Sequence, residues 1–259
     1  MIFNKQNIVT YLKIIINGKP RREIFKYIFR RLIGKRKNFD RDVFIKDGTI
    51  VLNCGRFMEN CTVACGAFET EIKEKLSILS GTFIDVGAHI GKFSTYVSKN
   101  SQGKVKVISI EATPQTANLL KENIKINNCK NIKTYNLACS DTKGKLQFYV
   151  TEYHPATNSI SKPDGNSNLV EINCDTLDNI TKGVQDIKLI KIDVEGAELQ
   201  VLKGGKNILK RDKPIILFEA WNKEKLSPLK IFLEKINYQV TALSEYNFIA
   251  IPKVNFVKG

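Results

Sequence analysis

The 259-residue chain is 42% hydrophobic with a formal charge of +15, enough apolar material for one large α/β core or two small ones. No stretch approaches the roughly 20 apolar residues of a membrane-spanning helix, and residues 1–10 lack the apolar core of a secretory leader. The six cysteines form no CxxC pair, and Cys54, Cys61 and Cys65 have no nearby histidine to complete a zinc set, so reduced thiols in a cytoplasmic protein are expected.

The charge is uneven. Residues 1–41 hold twelve Lys and Arg against Glu23 and Asp40, a net +10, which leaves +5 for the other 218 residues. Residues 7–16 and 21–34 read as two short helices parted by the turn Asn17-Gly18-Lys19-Pro20. In the second, Phe25, Ile28, Phe29 and Leu32 form one apolar stripe, and most of the basic residues lie off it. Docking on the rest of the fold is the commonest use of such a segment. An anionic membrane surface, with the protein peripheral to it, and nucleic acid phosphates are the other two partners that suit it. Self-association is left open.

Residues 42–80 form a second unit. A hairpin is expected at 42–57 around Asp47-Gly48, followed by a short leading helix from Gly66 to about Leu79. Glu69 or Glu71, near its start, is placed to reach a ligand's ammonium, or is simply an acid favoured by the helix dipole.

Residues 81–259 make the main domain. The run Thr82-Phe83-Ile84-Asp85-Val86-Gly87-Ala88-His89-Ile90-Gly91 opens as a buried strand and turns through two glycines into a helix. Strand, glycine turn and helix make a nucleotide-binding corner, but the dinucleotide spacing GxGxxG is absent. An acid at the strand end suits a cationic ligand better than a pyrophosphate, and the sulfonium of S-adenosylmethionine is one. A second strand, 105–110, ends in Glu111, 20 residues past Gly91, where a carboxylate can accept both ribose hydroxyls. Thr113 and Pro114 then start a helix over 115–127, with Ala117, Leu120 and Ile124 on a stripe that Asn127 extends.

The third strand, 132–137, runs into Ala138-Cys139-Ser140-Asp141, a small-polar loop where adenine would sit. Asp141 or Ser140 would accept from the exocyclic amine, with Ala138 and Cys139 against the ring; an ordinary turn is the plain alternative. Two β segments, 146–150 and 169–172, flank a polar stretch with His154 and Asn158 that is placed to meet the substrate. A fourth strand, 187–192, ends in Asp193-Val194-Glu195-Gly196, and a helix follows to the double glycine at 204–205. The fifth strand, 214–218, ends in Glu219; a helix over 228–236 and a hairpin of 238–243 with 248–251 close the chain.

This order of strand ends resembles a class I S-adenosylmethionine-dependent methyltransferase. More narrowly, the 83–91 run, the Ile190-Lys191-Ile192-Asp193-Val194-Glu195-Gly196-Ala197-Glu198 run, Leu202-Lys203-Gly204, Ala138-x-Ser140-Asp141-x-x-Gly144 and Thr176-Leu177-Asp178 resemble the FkbM family. The likeness spans about 66 to 222, and the family usually has Asn where this chain has His89. It implies a seven-stranded, mostly parallel sheet with helices on both faces, to which this chain adds its basic helical N-terminal extension. It also implies S-adenosylmethionine as donor and O-methylation of a sugar, glycan, lipid-linked sugar or natural product. By that analogy Asp85, Gly87, Ala88, His89 and Gly91 line the methionine side, Glu111 the ribose, and 138–141 the adenine.

Methyl transfer to an alcohol needs alignment and a proton acceptor. Asp193 or Glu195 is the expected base, with His154 as competitor, Asp193 alternatively holding the donor's ammonium and Glu219 beside the acceptor. The paired acids could recruit Mg²⁺, but no dedicated cage is visible and no metal is expected. The competing function is RNA ribose 2′-O-methylation through the basic arm and a Lys-Asp-Lys-Glu set of Asp193, Glu219 and Lys203 or Lys206.

Overall fold

The structure, a computed structural model, describes residues 42, 44–47, 49–55, 64, 70–76, 80–151 and 167–253. The basic helices expected at 1–41, with Glu69, His154 and Asn158, lie outside the described residues, and so does the side chain of Glu71.

The main sheet has seven strands. In chain order they are β3 (Thr82–Val86), β4 (Lys106–Ile110), β5 (Ile132–Tyr135), β9 (Ile187–Ile192), β10 (Ile215–Glu219), β11 (Tyr238–Ala242) and β12 (Asn247–Pro252). Across the sheet the order is β11-β12-β10-β9-β3-β4-β5. Only β12 runs antiparallel to its neighbours β10 and β11; the other pairings are parallel. The chain therefore walks outward from β3 to β5, then returns to β9 on the other side of β3 and walks the other way. That reversal puts a crevice at the carboxyl ends of β3 and β9.

Alternation along each strand builds two cores. Ile84 and Val86 of β3 join Ile190, Ile192, Ile216 and Phe218 on one face. Val201 and Leu202 of α5 (Glu198–Gly204), Ile208 and Leu209 of α6 (Lys206–Asp212), and Leu229 and Leu233 of α7 (Lys223–Lys235) cover it. Phe83, Leu189 and Leu217 face the other way, against Ile72 and Leu76 of α1 (Thr70–Leu76) and Phe93 and Val97 of α2 (Lys92–Asn100). Helices on both faces and a mostly parallel seven-stranded sheet are the architecture the sequence motifs imply. No helix among the described residues is long and apolar enough to cross a membrane.

Four elements depart from the sequence expectations. The third strand stops at Tyr135, and β6 (Ala138–Ser140) leaves the main sheet for a three-stranded one with β7 (Gly144–Thr151) and β8 (Ser167–Thr176), in the order β6-β8-β7. The segment 138–140 is thus a buried strand, not a loop. The double glycine ends one helix and starts another, α6, whose first amides at Asn207 and Ile208 bond the carboxylate of Asp178 in α4 (Leu177–Ile180). Helix α7 starts at Lys223 rather than Pro228, because the Asn222 side chain, six residues before the proline, accepts the Lys225 N–H at 2.9 Å and caps the helix.

The fourth departure lies on α3 (Pro114–Ile126), which starts as expected with Thr113 as N-cap and Pro114 at its head. Its buried face carries Asn123, and Asn127 just past its end is buried too, while Ile124 is only half-buried. Both amides grip the edge of β2 (Ile50–Asn53), which pairs on its other side with β1 (Phe44–Asp47). Asn123 accepts the Asn53 N–H at 2.6 Å and donates to the Asn53 carbonyl at 3.0 Å. Asn127 accepts the Val51 N–H at 2.9 Å and donates to its carbonyl at 2.6 Å. Two strand residues span about 6.8 Å and four helix residues about 6 Å, so the two repeats match. Asn123 also donates to the Ile90 carbonyl at 2.8 Å, tying the hairpin to the glycine turn.

Replacing Asn123 by Leu keeps the branched shape with somewhat more bulk and strands three buried backbone groups. Asn123→Leu is expected to lower stability by about 2–4 kcal/mol, read as a fall in the urea midpoint at unchanged slope.

Candidate functional site

The crevice is built by close backbone contact. Gly87 follows β3 with φ 76°, and a Cβ there would lie 1.7 Å from the Asp193 carbonyl oxygen. The Asp193 N–H donates to the Val86 carbonyl at 3.0 Å, and the Gly87 and Ala88 amides donate to the Ile110 carbonyl at 2.9 and 3.0 Å. The ends of β3, β4 and β9 are thus stitched together one residue past the sheet. Gly91, with φ 85°, ends the turn where a Cβ would strike Leu120 of α3. Two non-glycine residues on this edge also take positive φ, His89 at 51° and Glu195 at 53°. Such conformations are costly for side-chain-bearing residues and cluster where function holds them.

Asp85 departs from its expected place. It lies inside β3, 1% exposed, under the turn rather than at its rim. Its Oδ2 accepts the Ser94 hydroxyl at 2.5 Å, and Ser94 in turn accepts the Ser109 hydroxyl at 2.7 Å. Its Oδ1 is buried with no partner. Burial pushes its carboxyl above the ordinary range, opposed by the Lys191 ammonium and the bond from Ser94.

Glu111 stands at the crevice as expected. Its two oxygens accept the His89 N–H at 2.9 Å and the Thr113 N–H at 3.0 Å, which hold the carboxylate in place at the strand end. Burial raises its carboxyl, and those two amides pull it back down. Asn136 fixes the backbone around it, donating to the Glu111 and Ala112 carbonyls at 2.9 Å each. The His89 ring nitrogen Nε2 is buried without a partner. Burial lowers the imidazole from 6.5 to about 4, against the pull of Asp193. His89 is therefore neutral at pH 7.

Asp193 and Glu219 lie side by side. Ile192 pairs with Phe218, so each acid is the next residue on adjoining parallel strands. Asp193 is 27% exposed and bonds Lys191 at 2.9 Å, whose side chain is 4% exposed below it. Lys191, and not Lys203 or Lys206, is the lysine paired with Asp193. Its sequence signal is a charge inside an apolar strand, two residues before the acid and so on the same face. Glu198 is the other residue the motif reading passed over: its Oε1 accepts the Gly196 N–H at 3.0 Å and the Val194 N–H at 3.3 Å, holding the 193–197 loop.

The 138–141 segment is brought to the same side, with a change in what it offers. Gly204 lets α5 approach so closely that a Cβ would lie 2.0 Å from the Ser140 carbonyl. Cys139 packs into the main core, which raises its thiol and leaves only its backbone for a ligand. Ala138 faces Phe148 and Ile172, and Asp141 is exposed beyond Ser140. Cys129, Cys139 and Cys174 are free and buried, and Cys54 is buried as well. Among the described residues no three His, Cys, Asp or Glu side chains gather as a metal cluster.

A family model described as the methyltransferase FkbM domain matches residues 85–248. Methyltransferase sdnD of Sordaria araneosa is 24% identical over 192 residues, covering 61% of this chain and 73% of that protein. Methyltransferase 1 of Beauveria bassiana is 27% identical over 142 residues, or 47% of this chain, which spans 57% of that relative's length. Among solved structures, methyltransferase FkbM from Methylobacillus flagellatus superimposes with a TM-score of 0.51 at 16% identity, covering 87% of this chain and 58% of that one.

Two results are expected. Gly87→Ala, facing both a positive φ and a fixed carbonyl, destabilises the fold by more than about 2 kcal/mol in urea titration. The second concerns pH. His89 binds its proton more weakly folded than unfolded, so it withdraws stability as pH falls from 6.5 towards 4. Asp85, Glu111 and Glu198, all raised by burial, act in the opposite sense, withdrawing stability as pH rises through their range. The difference between wild type and His89→Asn isolates the histidine: the wild-type midpoint gains on the variant between pH 4 and 6.5 and runs parallel to it above.

Proposed function

We propose that this chain, which belongs to the FkbM methyltransferase family, moves the methyl group of S-adenosylmethionine to a hydroxyl of a sugar, glycan or small natural product. The observation that carries the donor assignment is the stitched edge where Gly87 lies against the Asp193 carbonyl, beside the bidentate carboxylate of Glu111. The buried, unpartnered Nε2 of His89 fits it as well, since a polar group of the donor's methionine arm would supply the missing bond.

Bound there, S-adenosylmethionine supplies an already activated methyl on a positively charged sulfur. The chain's part is alignment. Glu111 holds the ribose hydroxyls, the Gly87–Gly91 turn admits the methionine arm close to the backbone, and the 138–141 segment borders the adenine. Holding acceptor oxygen, methyl and sulfur in line is worth roughly 7–11 kcal/mol. Asp193 orients the acceptor hydroxyl from the face opposite its Lys191 bond, and either it or Glu195 receives the proton. A proton acceptor so placed adds about 10²–10⁴-fold.

Calorimetry with adenosylhomocysteine tests the donor site directly: tight binding is expected, weakened about tenfold by Glu111→Gln. With an acceptor panel, Asp193→Asn is expected to lower turnover by at least about 10²-fold while adenosylhomocysteine affinity holds within a few-fold. No binding of adenosylhomocysteine to the folded chain overturns the proposal. Unchanged turnover in both Asp193→Asn and Glu195→Gln removes the base assignment.

A further inference from the structure

The chain has a single tryptophan, and the structure leaves it 50% exposed just past the carboxyl end of β10. Trp221 is the second residue past the end of β10, beyond Glu219. At about 3.3 Å per residue, with strands about 4.8 Å apart, it lies within roughly 10 Å of Asp193. A contact confirms that this segment borders the loop: Lys225, in the first turn of α7, brings its Nζ within 3.2 Å of a Cβ built on Gly196.

The indole is exposed but fixed. Its ring lies 4.9 Å from that of Tyr246, between centroids, with the planes tilted by 32°. The Ala220 N–H donates to the Tyr246 carbonyl at 2.9 Å, and Asn222 caps α7. The residues on both sides of Trp221 are therefore pinned. A large apolar ring held rigid and in water, two residues past a strand-end acid, is a feature of recognition surfaces.

We infer that Trp221, braced by Tyr246, is the platform on which the ring of the methyl acceptor lies, with Glu219 at its inner edge taking a ring hydroxyl. The inference deepens the proposed function and rests on it. A pyranose chair presents C–H bonds on its faces and hydroxyls around its edge. The C–H face packs on the indole, and the edge turns towards Glu219 and Asp193. An open-chain alcohol has no face to pack. Carboxylates accept hydroxyl protons, so the pair Glu219 and Asp193 suits a ring with hydroxyls along its edge.

The lone tryptophan makes the test clean, because indole emission reports this residue alone. The full chain, saturated with adenosylhomocysteine, is titrated with methyl pyranosides of the gluco, manno, galacto and 6-deoxy series, with sorbitol and with p-cresol. At least one pyranoside is expected to shift the emission to the blue in a saturable way and to shield it from acrylamide; sorbitol does neither. Trp221→Leu is expected to raise the acceptor KM about tenfold, with Trp221→Phe recovering most of the loss and adenosylhomocysteine affinity unchanged in both. A chain that binds adenosylhomocysteine yet shows no pyranoside response, or answers only to p-cresol, overturns this inference alone. One that binds no adenosylhomocysteine overturns the donor reading and the inference with it.

Discussion

The structure depends on one close approach: Gly87 against the Asp193 carbonyl, at a distance that no side-chain-bearing residue allows. It welds the ends of the two central strands where the chain reverses its direction across the sheet. Everything useful is then hung from that weld. The Ile110 carbonyl receives both amides of the turn, so Glu111 arrives beside His89. Asp193 leaves the weld on the other side and meets Glu219.

Beneath the weld runs a line of charge that the apolar strands would not suggest. Asp85 and Lys191 are paired across β3 and β9, and Asp193 lies two residues beyond Lys191 on the same face. A buried ion pair adds little to stability by itself, because desolvation offsets the attraction. Its effect here is directional. One side of the Asp193 carboxylate is committed to the ammonium, so the other side is the one turned to the crevice. Glu198 performs the matching task on the backbone, holding the loop that carries Glu195 in its left-handed turn.

Sequence periodicity makes the sheet legible because strands such as 82–86 and 187–192 are buried on both faces and read as continuous apolar runs. The site's glycines and strand-end acids are legible for the same reason, since they stand where those runs stop. Asp85 misleads. Its position looks like a strand end, yet strand alternation and the serines at 94 and 109 draw it under the turn. The 138–140 segment also misleads, since its small residues suggest a loop while they pair with 174–176 as a strand. Helix α7 hides its start because Pro228 is the louder local signal than a capping asparagine. Asn123 is invisible to an apolar stripe, and the stripe that reaches Asn127 says nothing of its bonding, since both amides copy a strand's own bonding pattern.

That imitation has a consequence for how the chain behaves in company. A strand on the border of a sheet offers its unused amides and carbonyls to any extended segment that drifts past, which is how ordered aggregates begin. In β2 the outward groups of Val51 and Asn53 are already engaged by α3. The helix thus seals that border with side chains, and a second molecule finds no template there.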